Sequence, residues 1–335
     1  MAENTSDIVV MGASSGGVDA LRRLMRDLPE DFTGAICIVV HIAPDVTSLL
    51  AGILANAGPL RSVHAEDGMR LEHGRIHIAP PDHHLLIERG GTLTVVKGPR
   101  ENRHRPAIDP LFRSAAWAYG PRVVGVVLTG NLDDGTAGLW AIKSCGGTTI
   151  VQDPDDAAYP DMPNSALTHN RIDHRLPLGQ IPGKLVELAR TPVSRASAPP
   201  ETLQREIAFD KFEADASDLT RLGSLSPFTC PSCRGALWQM QEGGHLRYRC
   251  HVGHSYTQAA LDVEQDEAIE SSLFVALRAV EEKSMALQRL EERFPGGLAT
   301  VRKAYQSRIG ELEATADQLR KLLEGTATVD KRQAG

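Results

Sequence analysis

Aromatic residues are scarce: Phe, Trp and Tyr make up 4% of the 335 residues. The core must therefore rest on Ala, Val, Leu and Ile. Cysteine is also sparse, at five residues, which is too few for a disulfide framework in a chain of this size. No apolar run reaches the roughly 18 residues a spanning helix needs. The opening stretch Met1–Asp7 is short and polar, with no basic segment leading into an apolar run and a small-residue cleavage site. The expectation is a cytoplasmic protein without membrane insertion. A basic surplus is missing too. The net charge of -7 speaks against a general nucleic-acid binder, which would carry a positive footprint. What remains is an ordinary globular balance, 41% hydrophobic and 24% charged, in a chain long enough for about two domains.

Residues 1–190 read as an α/β domain. Near-continuous apolar runs at Ile8–Met11, Ala35–His41, Arg75–Ala79, Leu93–Val96, Val123–Thr129 and Thr148–Gln152 predict strands. Helical patterns fall between some of them, at Val18–Leu28, Thr47–Ala55, Pro110–Tyr119 and Ala137–Cys145. Apolar strands alternating with helices indicate a doubly wound, mostly parallel sheet covered on both faces. Arg75–Ala79 and Leu93–Val96 read as an antiparallel pair set apart from the rest. Residues 191–227, rich in Pro, Ser and Ala, read as a linker with a short helix near Leu203–Ile207. Residues 228–260 form a small Cys/His/Gly module. Two helical patterns around Pro295-Gly296-Gly297 predict an antiparallel α-helical hairpin over 261–325, followed by a disordered tail at 326–335.

Three strands of the α/β domain each end in a residue able to take part in nucleophilic catalysis. The run Ile8–Met11 passes through Gly12-Ala13-Ser14-Ser15-Gly16-Gly17 into a helix. Such a turn lies at the carboxyl end of a strand, where open α/β sheets build their sites, and the helix start offers free N–H groups to a negative charge. Taken alone, it suits an anion cradle as well as a nucleophile. His41 closes the next strand. Asp134 follows a later one, in Thr129-Gly130-Asn131-Leu132-Asp133-Asp134-Gly135, where an Asp also suits a helix cap. In a parallel sheet all three reach the same rim. The reading is Ser14 as nucleophile, His41 as general base and Asp134 as the residue that orients the imidazole, with the backbone N–H groups of Ser15 and Asn131 as oxyanion donors.

These residues, with Val40-His41-Ile42-Ala43-Pro44, Ile78–His84, Arg105–Phe112 and Met162–Ala166, resemble the catalytic domain of CheB-type protein-glutamate methylesterases. The pieces occur in family order across about residues 7 to 190. The resemblance implies a doubly wound α/β fold, the same Ser14, His41 and Asp134 assignment, and Ser15 and Asn131 as oxyanion donors. It further implies a methylated glutamate on the helical domain of a chemoreceptor as substrate, with glutamine deamidation as a second activity. No cofactor serves catalysis, and an S-adenosylmethionine-dependent methyltransferase would oppose the enzyme. Two departures stand out. The strand leading to Ser14 begins within the first ten residues, so no N-terminal receiver domain is expected to control this chain. Asn131-Leu132-Asp133 replaces the usual Met-Gly-Asn, and the extra carboxylate of Asp133 competes with Asp134 for the acid role.

Outside that region, Cys230-Pro231-Ser232-Cys233 is a C-x₂-C knuckle, with Cys250-His251-Val252-Gly253-His254 as a second half at zinc-ribbon-like spacing. Cys230, Cys233, Cys250 and His254 supply a closed Cys₃His set for a structural zinc, with His251 as the competing fourth ligand. His83 and His84 are read mainly as polar loop residues beside the cleft. Arg105 is read either as a guide for acidic receptor segments or as a surface salt bridge.

Overall fold

The computed structural model describes residues 5–193, 198–242, 244–293 and 299–333. They fall into two compact units, 1–261 and 262–335.

The first unit is built on a seven-stranded sheet. Its strands are β1 (Ile8–Ala13), β2 (Ala35–Val40), β3 (Arg61–His64), β4 (Arg75–Ile78), β7 (Val123–Val127), β8 (Thr148–Gln152) and β9 (His174–Leu176). The order is β3-β4-β2-β1-β7-β8-β9, and every pairing is parallel. Both faces are covered because the central strands are apolar at every position and must bury both sides. On one face Val9, Met11 and Ala13 pack against α1 (Gly17–Arg26), α2 (Leu50–Ala55) and α6 (Ile181–Ala189). On the other, Ile8 and Val10 pack against α3 (Ile108–Tyr119), α4 (Thr136–Ser144), α5 (Asp161–His169) and α7 (Glu201–Asp210). The expected doubly wound sheet is therefore present. Strand order reverses at β1, between β2 and β7, and the carboxyl ends of these three strands form the crevice such sheets use for ligands.

Two expectations about this unit are corrected. Arg75–Ile78 lies inside the main sheet, parallel to β2 and β3, rather than beside Leu93–Val96. The antiparallel partner of β6 (Leu93–Val96) is β5 (His84–Ile87). Pro80-Pro81 ends β4 without a reversal, whereas Gly90 and Gly91, at φ of 92° and 80°, supply the left-handed positions of the true hairpin turn. The segment 191–227 is also more than a linker. Beyond the described stretch that ends at residue 193, it contains α7, α8 (Ala216–Leu222) and most of β10 (Ser224–Thr229). The inner face of α7 is Leu203, Glu206, Ile207 and Asp210, an i, i+3, i+4, i+7 stripe in which two acids take apolar places.

The Cys/His module is a four-stranded antiparallel sheet of β10, β11 (Ala236–Glu242), β12 (His245–Cys250) and β13 (Ser255–Thr257). It belongs to the same compact unit as the α/β sheet. A buried cluster of three arginines and three acids joins them. Arg113 of α3 and Arg247 and Arg249 of β12 meet Glu101, Glu206 and Asp210, each at most 4% exposed.

The second unit is the expected helical hairpin, formed by α9 (Gln258–Arg293) from Asp262 onward and α10 (Ala299–Gln333). Leu287, Ile309 and Leu312 pack with Val280 and Tyr305 along its seam. The pairs Glu291–Arg302 and Gln288–Glu313 fix the antiparallel register. Helix α10 extends to Gln333, over most of the stretch read as a tail, and residues 334 and 335 lie outside the described residues. Extending an existing helix avoids the cost of nucleation, and no proline interrupts Thr326–Gln333.

Candidate active site

Ser14 follows β1 directly. Its N–H donates to Thr129 O at 3.0 Å, tying the turn after β1 to the turn after β7. Gly16 at φ 74° turns the chain into α1. Gly130 allows the two turns to touch: a Cβ there would lie 2.2 Å from Met162 Sδ and 2.7 Å from Ser14 Cβ. His41 follows β2, with its N–H on Ala13 O at 3.2 Å. Asp134 follows β7.

The three side chains form one line. His41 Nδ1 lies 3.1 Å from Ser14 Oγ, and His41 Nε2 lies 2.8 Å from Asp134 Oδ2. The Asp134 carboxylate also sits on the N-terminus of α3. It accepts from the N–H of Ile108 at 2.7 Å and of Asp109 at 3.4 Å, from Gly135 N–H at 3.0 Å, and from Asn102 Nδ2 at 3.0 Å. Burial alone would raise its pKa. The hydrogen bond and charge of His41, with the donors of Ile108 and Asn102, instead hold it well below the usual carboxylate range. An ionised Asp134 accepts from Nε2–H, so the lone pair of Nδ1 faces the Ser14 hydroxyl.

Its neighbours behave differently. Asp133 turns away and accepts from Thr257 Oγ1 at 2.8 Å. Burial, together with the charge of Asp134, pushes it up to about 6. Asp109 accepts from Gly138 N–H at 2.6 Å and Asn102 Nδ2 at 3.0 Å, and burial with the charges of Asp134 and Glu101 pushes it well above the usual range. Three carboxyl groups thus share one region, and Asp134 is the one that meets the imidazole. His104 stacks on His41, with centroids 3.6 Å apart and planes within 11°. Burial, then the proximity of His41, pushes His104 down to about 3, so it stays neutral. The His41 side chain is 5% exposed, and the stack limits its rotation.

The Ser15 and Asn131 N–H groups have no acceptor among the described residues, and Asn131 Nδ2 donates to Ser15 Oγ at 3.2 Å. A cleft of about 310 Å³ opens onto Ser14, His41 and His104, with Pro44, Arg100, Arg103 and Arg105 along its walls. Arg105 also pairs with Asp82, at 2.6 Å. His84 lies away from the reaction line, buried, with Nε2–H on Pro99 O at 2.8 Å and Nδ1 accepting from Ala107 N–H at 3.2 Å. His83 bonds Pro81 O at 3.0 Å. Sequence reasoning missed Asn102, His104 and Asp109 as parts of the site. For His104 the available signal was its place directly before Arg105-Pro106.

The family model described as CheB methylesterase matches residues 9–185. The chain belongs to this family. Protein-glutamate methylesterase/protein-glutamine glutaminase 2 of Anaeromyxobacter dehalogenans is 42% identical over 184 residues, covering 55% of this chain and 54% of that one. The protein of the same name from Rhizobium johnstonii is 38% identical over 184 residues, covering 54% of this chain and 50% of its own. The chain thus spans about half the length of the curated relatives it matches. The crystal structure of the Thermotoga maritima CheB methylesterase catalytic domain superposes with a TM-score of 0.53 at 36% identity, covering 54% of this chain and 98% of that domain. The four-stranded ribbon and the helical hairpin lie beyond the residues matched by the CheB methylesterase family model.

A Cys₃His cluster in the ribbon could hold a metal ion. The ligand atoms of Cys230, Cys233, Cys250 and His254 all lie within 4.8 Å of one another. Cys233 Sγ is 3.6 Å from Cys250 Sγ, and His254 Nδ1 is 3.8 Å from Cys230 Sγ and 3.5 Å from Cys250 Sγ. A tetrahedron with Zn–S bonds of about 2.3 Å has edges near 3.8 Å, so the spacing fits. His251 is exposed and outside the cluster.

Proposed function

We propose that this protein is a serine hydrolase that demethylates glutamate methyl esters on chemoreceptors and deamidates glutamine there. The observation that carries this reading is the unbroken line from Ser14 Oγ through His41 to Asp134, at 3.1 and 2.8 Å. Nδ1 of His41 takes the hydroxyl proton as Ser14 Oγ bonds to the ester carbonyl carbon. General-base assistance of this kind is worth roughly 10²–10⁴-fold. Asp134 stabilises the imidazolium and keeps its orientation. The N–H groups of Ser15 and Asn131 receive the developing oxyanion, a donor each worth about 3–4 kcal/mol where measured. The proton then passes from Nδ1 to the methoxy oxygen, methanol leaves, and water bound in its place resolves the acyl-enzyme by the same base. With glutamine, ammonia leaves instead. No cofactor takes part.

Cys230, Cys233, Cys250 and His254 would hold a structural zinc, since four closed ligands leave no open position for a substrate water. The opposing enzyme in the pathway would be an S-adenosylmethionine-dependent methyltransferase. Among the described residues no helix is long and apolar enough to cross a membrane.

The test is methanol release from methylated chemoreceptor by wild type and Ser14→Ala. The expected result is loss of nearly all release in the variant. Equal rates would end the enzyme reading in favour of a binding partner in a sensory array, and hydrolysis of other esters alone would move the substrate assignment.

A further inference from the structure

The loop Arg100–Arg105 connects the ribbon to the acid of the relay. It runs along β13 as an added edge: Asn102 N–H donates to Ser255 O at 2.8 Å, and Ser255 N–H donates to Arg100 O at 3.3 Å. Asn102 and Arg103 stand at φ of 49° and 73°, left-handed positions that asparagine adopts readily and arginine seldom. Thr257 N–H donates to Asn102 Oδ1 at 3.0 Å. That bond decides which way the amide faces, and its Nδ2 then points at the carboxylates, 3.0 Å from Asp134 Oδ1 and 3.0 Å from Asp109 Oδ2. The same loop carries His104, stacked on His41. The strand that holds the loop starts at Ser255, the residue after the cluster ligand His254. Cys250 N–H in turn donates to His254 O at 3.0 Å.

We propose that Asn102 is a positioning residue for Asp134, that the ribbon edge Ser255–Thr257 sets its pose, and that metal capture by Cys230, Cys233, Cys250 and His254 is thereby felt at the Ser14–His41–Asp134 line. The catalytic side of this inference rests on the hydrolase reading above. Withdrawing the Asn102 donor concentrates negative charge on Asp134, and the adjoining imidazole then keeps its proton to higher pH. Besides Asp134, the charged and titratable groups around that imidazole are His104, stacked on it, and Arg100, Arg103 and Arg105, which line the same cleft, while Asp109 and Asp133 act on it through the charge of Asp134. The substitutions below leave these in place.

The experiment follows the His41 imidazole by ¹⁵N NMR titration in the full chain. Asn102→Ala is expected to move its titration upward by about half a pH unit, and Asn102→Asp, which adds a charge, by about one or more. Stripping metal from the wild type with EDTA is expected to move it in the same direction and to speed amide exchange at Glu101, Asn102 and His104. Stripping Asn102→Ala adds no further shift. A packing defect alone would lower the folded fraction without moving the titration. An unmoved titration in Asn102→Ala, or in stripped wild type, overturns the proposal. If Asn102→Ala fails to fold, the stripped wild type decides. Ser14→Ala separates the two readings. If that variant releases methanol at the wild-type rate, the hydrolase reading falls while the imidazole shift still reports the coupling. If it is inactive and the titration does not move, the coupling falls alone.

Discussion

At the scale of single residues, the site depends on which carboxyl group stays ionised. Asp133 and Asp134 are adjacent, yet one lies on a helix N-terminus beneath the imidazole and the other against a threonine hydroxyl. The sequence could place a carboxylate at this turn but could not choose between the two, because the donors that decide come from Asn102 and Ile108, 32 and 26 residues away. The raised pKa of Asp133, about 6 against an ordinary 3.8, has a sign that can be checked. The native state binds this proton more tightly than the unfolded chain. Stability therefore falls as pH rises from about 4 to about 6, by on the order of 3 kcal/mol, and the penalty is constant above that. Asp133→Asn keeps an acceptor for Thr257 and removes the titration. Its stability gain over wild type, measured by urea unfolding, should grow between pH 4 and 6 and then level off. A gain independent of pH would refute the assignment. Gly130 offers a steric counterpart. Gly130→Ala forces a methyl against Met162 and Ser14, so a loss of about 1–3 kcal/mol in stability is expected. Methanol release should fall further than the folded fraction does, because the Ser14 turn is displaced.

At the scale of elements, the strands delivering Ser14, His41 and Asp134 were legible because each is apolar throughout and ends in small or polar residues. Helix α7 was legible only as a short helix near Leu203–Ile207 within a linker; its full length and its packing on the sheet were hidden, because its buried stripe contains Glu206 and Asp210, which hydropathy scores as surface. Their burial is possible only because Arg113, Arg247 and Arg249 arrive from distant parts of the chain. Strand β3 was hidden similarly, as its residues Arg61–His64 lie on the sheet edge and are not fully buried. The charge cluster makes a sharp prediction. Removing one acid leaves arginines desolvated and uncompensated, at a cost of about 3–5 kcal/mol. Glu206→Ala should therefore lower stability to urea by that amount. Arg205→Ala, one residue away but pairing with the part-exposed Asp218 at 2.7 Å, should cost less than about 1 kcal/mol. Similar losses in the two variants would mean that the cluster is not uniformly buried.

At the scale of the whole molecule, charge is distributed against its average. The chain carries a net -7, yet the cleft over Ser14 is walled by Arg100, Arg103 and Arg105. Fields from a positive rim act over a Debye length, about 8 Å at physiological salt, and raise the encounter rate of an acidic partner without touching the chemical step. Arg100 is the exposed member of the three and makes no contact with the Ser14–His41–Asp134 line. Arg100→Glu should lower kcat/KM for an acidic methylated receptor by about tenfold at low salt through slower association. The difference from wild type should shrink as sodium chloride is raised toward 0.5 M, in line with the shorter screening length of roughly 4 Å there. A small neutral ester, which the rim field cannot steer, should be hydrolysed by both proteins at the same rate. If the variant instead loses activity equally on both substrates and at all salt concentrations, the arginines act on the site itself, and the rim does not recruit the receptor.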